Sequence, residues 1–434
     1  MSHRGRSIVP EQFELGNGLR VLMVENHSTP AVSMNLAMFA GSRDDPDERA
    51  GLAMMVSRLL EEGTRSRSSL EIADAIESVG GAIDSDCSPD RISVFLGVLS
   101  RDIDLGLELV GDMVQNPCFP ETSITNERDR TLAEIQSALD RPQVVAGLEF
   151  NELVYGKHPL HRPVHGYPDT IANIGREDMV SFHERCLIPS NSLVSVVGDF
   201  SVPRMRSRLE SVFGSWEPRP TSLTDSRVRP EKEPGVKSKF VSIPSHQAHI
   251  YLGHLGIERT HPDFYALQVM DAILGGGAGL TSRIPRKLRD EQGLAYTTFA
   301  SITGSAASDP GKFLAYIGTS PENIEAAIDG FIAEIDRVRS EMVSAEELAD
   351  AKAYLTGSFV FAFETNAQVA RFLINADLYG LGFDYMEQYP AYIEGVTAEA
   401  IREAAARHLS TEDYVLVVAG PEGSTSGRVS AVPD

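Results

Sequence analysis

Positive charge is scarce in this chain. Lys and Arg number 39 against 62 Asp and Glu, a formal net charge of -23. A surface that tracks phosphates needs clustered Lys and Arg, so this balance argues against nucleic acid as a partner. It favours solubility or basic peptides and partners. Cysteine is equally sparse: Cys87, Cys118 and Cys186 form an odd, widely spaced set of 3 without a Cys-x-x-Cys pair. That spacing suggests neither a disulfide framework nor a thiolate metal site, and it fits a reducing compartment. No window approaches eighteen uninterrupted apolar residues, and Arg4 and Arg6 precede no apolar leader core. The expectation is a cytoplasmic protein with no membrane partner. A Gly-x-Ser-x-Gly elbow is missing, and no cysteine sits in a nucleophile context. The glycine run Gly275–Gly279 is not followed by the Lys-Ser/Thr of a phosphate loop, and it ends a helix instead of starting one.

What is present is an ordinary globular mixture, 42% hydrophobic and 23% charged over 434 residues. That length predicts roughly two to four domains. Gln12–Leu15 and Leu19–Val24, joined by Gly16-Asn17-Gly18, read as a hairpin of two edge strands whose Asn-Gly pair supplies positive φ. Val32–Ala40 is β-competent. A helix runs over Gly51–Thr64, and a second starts at a Ser68 or Ser69 cap and stops at Gly80-Gly81. A strand follows over Ile92–Ser100, then helices over Ile103–Val114, Glu121–Leu139 and Arg176–Arg185, then the strand Ser192–Gly198. Residues 216–237 are rich in Pro, Ser, Arg and Glu without periodicity and read as a linker. The order then begins again. Val241 and His249–Gly253 read as strands, Tyr265–Leu274, Glu322–Arg339 and Ala345–Phe361 as helices, and Tyr414–Gly420 as a closing strand. Repeated order at one long period signals an internal duplication. The expected class is α+β, two homologous halves of antiparallel-rich sheet with packed helices, divided as 1–215, linker 216–237 and 238–434.

Within the Gly51–Thr64 stretch, Leu52, Met55 and Leu59 form an apolar stripe, while Met54, Ser57, Arg58 and Glu61 share a second face. Several landmarks recur in one order: Gly51-Leu-Ala53, Gly63-Thr64, Gly80-Gly81, Asn126-Glu127 through Glu134-Ile135, His158-Pro-Leu-His-Arg-Pro-Val-His-Gly166, Pro189-Ser-Asn191, and Leu274-Gly-Gly-Gly through Leu288-Arg-Asp-Glu-Gln-Gly-Leu-Ala-Tyr296. Together they resemble the pitrilysin, or insulinase, zinc peptidases (family M16), in particular the branch of half-length chains that work in pairs. The resemblance spans nearly the whole chain and implies the pitrilysin/LuxS-like metallopeptidase fold.

In that family the first-half helix carries His-x-x-Glu-His, two imidazoles for one zinc and a Glu that takes a proton from its water. Aligned on Gly51 and Gly63-Thr64, those places hold Met54, Ser57 and Arg58. The family's third ligand falls on Glu134 and its accompanying acid on Glu127, so one carboxylate remains where catalytic zinc needs three protein ligands. Arg58 is therefore expected to take the vacated place and pair with Glu134, a guanidinium in place of a divalent ion. The second half keeps what resembles the family's Arg/Tyr pair, Arg289 and Tyr296. The resemblance implies that this pair holds substrate backbone and stabilises the oxyanion at a zinc centre in a partner subunit, and that the loop Gly275, Gly276, Gly277 touches substrate. Zinc binding is not expected at His158, His161 and His165, which lie in a Pro-interrupted loop, nor at His246, His249 and His254 along a β-like run.

The resulting expectation is a subunit that binds no cofactor, paired with a homologous half-length chain bearing His-x-x-Glu-His and zinc, acting on peptides. Two rivals stand beside it: a purely structural subunit like the core proteins of respiratory complexes, and a self-paired peptide-binding protein without catalysis.

Overall fold

The computed structural model describes residues 8–220, 228–276, 282–424 and 427–429. The first sheet holds six strands: β1 (Glu11–Glu14), β2 (Arg20–Glu25), β3 (Ala31–Met38), β4 (Ala82–Cys87), β5 (Ile92–Leu99) and β6 (Ser192–Gly198), in the order β1, β2, β6, β3, β5, β4. The second holds five: β7 (Lys237–Ser242), β8 (Ala248–Leu255), β9 (Ala295–Ser301), β10 (Lys312–Thr319) and β11 (Val415–Gly420), in the order β7, β11, β8, β10, β9. In each sheet one pair is parallel, β2 with β6 and β7 with β11, and the remaining pairs are antiparallel. With β1 set aside, the two orders correspond strand for strand. The duplication legible in the sequence is therefore a duplication of hydrogen-bonding pattern, and the fold is α+β with antiparallel-rich sheets.

The inner strands explain themselves. Every residue of Ser192–Gly198 and of Val415–Gly420 is buried, as expected of strands covered on both faces. What covers them was not legible. The helix Asn366–Leu378 lays Val369, Ala370, Leu373 and Ile374 on Leu22, Ala37, Leu193 and Val197 of the first sheet. Ser195 Oγ donates to the Ala370 carbonyl at 2.7 Å, and Arg20 Nη1 pairs with Asp377 at 2.7 Å. In return, the helix Pro142–Tyr155 lays Ala146, Phe150 and Val154 on Tyr251, Tyr316, Val415, Val417 and Ala419 of the second sheet.

The compact units follow these exchanges across the linear division at 216–237. One comprises Met1–Gln136, Arg162–Arg227 and Phe361–Tyr385, the other Ser137–His161, Val228–Val360 and Met386–Asp434. A sheet face that is apolar must be covered, and in each unit the covering helix comes from the other half of the sequence.

Three local expectations change. Of the two hairpin strands β1 alone lies at a sheet edge, because β2 also pairs with β6. In the hairpin, Gly18 alone takes positive φ, at 89°. Asn17 instead is buried and its Nδ2 donates to the carbonyls of Phe213 at 2.7 Å and Trp216 at 2.9 Å. Trp216, placed in the linker by composition, is buried against Phe213. The Ser68 cap is realised as a capping box, with Ser68 N–H donating to Glu71 Oε2 at 2.8 Å.

Candidate functional site

The helix Leu52–Leu59 starts from Gly51, at φ 97°, where an added Cβ would lie 2.9 Å from the His165 carbonyl oxygen. The N–H groups of Gly51 and Ala53 donate to the Asp45 carboxylate at 2.9 Å each. Burial pushes the Asp45 carboxyl up to about 7, against the pull of those two donors. The helix is not amphipathic in place. Leu52, Ala53, Met54, Met55, Val56, Ser57 and Leu59 are all buried, so Met54 and Ser57 face packing instead of an open polar face. Ser57 Oγ has no hydrogen-bond partner among the described residues. Glu61 is half-buried; burial raises its pKa, partly offset by Ser85 Oγ donating at 3.0 Å.

Arg58 does not point to solvent. Its Nη1 donates to Glu127 Oε1 at 2.8 Å and to Glu134 Oε2 at 2.9 Å, both on the helix Glu121–Leu139. The side chains are 25% exposed for Arg58, 8% for Glu127 and 43% for Glu134, so the pair with Glu127 is the inner one. Glu127 also accepts from Thr131 Oγ1 at 3.1 Å. Arg130 completes the cluster, with Nη2 2.6 Å from Glu127 Oε2 and Nε 3.7 Å from Glu134 Oε1. Burial works against the Arg58 charge, but its hydrogen bonds to Glu127 and Glu134 outweigh this and hold its pKa above the ordinary value. Burial, and then the Arg58 charge, push the His165 imidazole down. Arg130 escaped notice in the sequence although its spacing carried the signal, three residues after Glu127 and four before Glu134.

This donor set does not fit zinc. A thioether, a hydroxyl without partner and a guanidinium, which has no lone pair to give, stand where two imidazoles and a carboxylate would be needed. The two carboxylates already hold two guanidinium cations, so their charges balance.

Arg289 lies in a short π-type helical segment, Pro285–Glu291, and Tyr296 at the start of β9. A turn joins them. Gly293 takes φ 66°, Leu294 N–H donates to the Leu288 carbonyl at 2.8 Å, and Thr319 Oγ1 donates to the Leu294 carbonyl at 2.6 Å. The β9/β10 register then slips between Ile317 and Thr319, a bulge that re-aims the chain at Tyr296. Tyr296 is 92% exposed, on an edge strand. Arg289 bonds its neighbour Asp290, Nε to Oδ1 at 2.7 Å. That bond, with Tyr296 close by, holds the guanidinium pKa above its ordinary value. Two residues before the segment, Arg283 is 3% exposed and forks onto Glu347, Nε to Oε1 at 2.7 Å and Nη2 to Oε2 at 2.9 Å. That fork holds the Glu347 carboxyl at about 2. No sequence spacing signals this anchor.

Of the glycine loop, Gly275 is buried, and a Cβ there would come 2.5 Å from the Ala300 backbone nitrogen, so close packing under β9 requires glycine. Gly276 is exposed, and Gly277 lies outside the described residues.

The histidines are engaged separately. His158 Nε2 lies 2.9 Å from the Val228 carbonyl, and His249 Nδ1 lies 2.9 Å from the Tyr316 hydroxyl. His161 Nδ1 lies 2.9 Å from the His158 carbonyl. His246 precedes β8, while His254 is buried within it and accepts the Ser410 N–H on Nε2 at 3.2 Å. All three cysteines are free thiols, and burial pushes Cys87 and Cys186 up.

The model of the insulinase family, peptidase family M16, matches residues 20–167, and that of the peptidase M16 inactive domain matches residues 173–355. An uncharacterized zinc protease of Bacillus subtilis is 25% identical over 417 residues, covering 95% of this chain and 99% of its own. One of Mycobacterium tuberculosis is 28% identical over 425 residues, covering 96% and 94%. A crystal structure of a peptidase M16 inactive domain from Pseudomonas fluorescens superposes with a TM-score of 0.89 at 26% identity, covering 98% of this chain and 100% of that one. With both family models matched in order and the fold shared end to end, the chain belongs to the M16 peptidase family.

Proposed function

We propose that this chain is the non-zinc-binding subunit of a paired M16 peptidase, completing the peptide-cleavage chamber and lending Arg289 and Tyr296 to the partner's active site. One observation carries this reading: Arg58, which aligns with the family's metal motif, is bonded to Glu127 and Glu134, while Tyr296 is 92% exposed and Arg289, near it, is bonded to the adjacent Asp290. The partner, a homologous half-length chain with His-x-x-Glu-His, would bring zinc and its activated water. This chain's residues would act on the substrate carbonyl. The guanidinium and the phenol would both donate to the oxygen as negative charge develops on it, and Arg289 would exchange part of its bond with Asp290 for that contact. We place the pair in the cytoplasm, a reading supported by the three free thiols.

The test is a mixing experiment with the half-length homologue encoded nearest to this chain. Cleavage of an unstructured peptide should require both chains and stop on adding a chelator. It should fall about a hundred- to a thousand-fold when Arg289 becomes Ala or Tyr296 becomes Phe. If this chain cleaves alone in a chelator-sensitive way, the reading fails. Cleavage indifferent to both substitutions would make it a structural, core-protein-like subunit. Self-pairing with peptide binding and no cleavage would make it a binding protein.

A further inference from the structure

Besides these clusters, the second unit brings together His261, Asp263 and His408, with one ligand atom from each within 4.8 Å of the others. Asp263 precedes the helix Phe264–Asp271, and His408 is the last residue of the helix Ala398–His408. His408 Nε2 lies 2.7 Å from Asp263 Oδ2. His261 Nδ1 accepts the Asp263 N–H at 3.1 Å and lies 4.0 Å from Oδ2. The two imidazoles meet edge to face with centroids 4.6 Å apart. Arg407 donates from Nη2 to Asp263 Oδ1 at 3.2 Å.

We propose that these three side chains form a binding site for a divalent transition metal of the zinc type, distinct from the position of the family's catalytic motif. Two imidazoles and one carboxylate are the donors that zinc, cobalt and nickel prefer, and three protein ligands leave a position for water. Tetrahedral ligands about 2.0 Å from a metal stand a little over 3 Å from one another. The 2.7 and 4.0 Å separations bracket that spacing, and a ring rotation that exchanges the Asp263 N–H on His261 Nδ1 for the ion would close the site. Arg407 spans both carboxylate oxygens, Nη2 to Oδ1 and Nε 3.2 Å from Oδ2; keeping Oδ1, it would orient the carboxylate and yield Oδ2 to the metal. The carbonyl end of Ala398–His408 adds negative potential at His408. Bound there, the ion would staple the start of one helix to the end of another and raise the stability of the second unit.

The test uses the untagged full-length chain, stripped with chelator and titrated with Co²⁺. We expect the visible absorption of four- or five-coordinate cobalt, saturating at one equivalent, bleached by Zn²⁺, and a thermal midpoint that rises with either metal. His261→Gln and His408→Gln should each lose the absorption, while His246→Gln keeps it, with circular dichroism confirming the fold. Should a histidine variant not fold, Asp263→Asn provides the same readout. Only the weak spectrum of hexaaquo cobalt with an unmoved midpoint, or an absorption that survives these substitutions, would overturn the assignment.

Discussion

Arg58 in the first unit and Arg289 in the second are both guanidinium groups at family motif positions, and their surroundings differ in kind. Arg58 is shared between two carboxylates, and a second arginine neutralises what remains of their charge. Among the described residues Arg289 pairs with the adjacent Asp290 alone, and Tyr296 is open to solvent. A charge satisfied on every side within its own unit has nothing left to offer a substrate, whereas one held by a single exposed neighbour can change partner at small cost. On the proposed reading, the lost metal motif has become structure, and Arg289 with Tyr296 is the pair available for chemistry.

The largest expected effect comes from removing the anchor behind the open pair. Glu347→Ala leaves the Arg283 charge buried without its fork, which should cost roughly 3–5 kcal/mol in chemical denaturation. The pair also predicts an acid dependence. Glu347 is held at about 2 against an ordinary 4.5, so the folded state binds fewer protons than the unfolded state between those values. The stability it contributes is present above about pH 4.5 and fades as pH falls toward 2. Glu347→Gln should flatten that part of the stability profile. A wild-type profile already flat there would deny the fork its role.

Next in size is the contrast in activity. In the mixed enzyme, Arg289→Ala should lower kcat/KM about a hundred- to a thousand-fold, roughly 2.7–4 kcal/mol, while Arg58→Ala leaves it near the wild-type value. Equal losses from both substitutions would erase the division between a closed and an open arginine. The comparison sharpens from the other side in stability. Arg58→Ala strands Glu127, although Arg130 and Thr131 still hold it, so the expected loss is about 1–3 kcal/mol. Grafting Met54→His, Ser57→Glu and Arg58→His together should create chelatable zinc binding with Glu134. No binding in a folded triple variant would mean that Glu134 does not stand where a third ligand must.

How much of this was legible depended on whether the signal was local. The Ser68 cap, the stop at Gly80 and the run Ser192–Gly198 read correctly because capping, positive φ and apolar continuity are written in neighbouring residues. The exchange of Asn366–Leu378 and Pro142–Tyr155 was not, since nothing in a helix names the sheet it will cover. The Leu52–Leu59 helix read as amphipathic because Ser57 and Arg58 are polar, yet tertiary packing buries it almost all round. Arg58 beside Glu134 was legible only through alignment to a family pattern, 76 positions apart in sequence. Arg130 and the Asp45 carboxylate that holds Gly51 and Ala53 came from the structure.

The smallest effect is the one that separates chemistry from scaffold most cleanly. Tyr296 is 92% exposed, so Tyr296→Ala removes almost no buried surface and should move the unfolding free energy by less than about 0.5 kcal/mol. Thr319 Oγ1 and the Leu288 carbonyl, not the phenol, hold the turn that presents it. A large exposed aromatic that contributes nothing to folding is free to serve an interface or a substrate. A loss of 2 kcal/mol or more in denaturant titration would return Tyr296 to the scaffold and leave Arg289 without a companion.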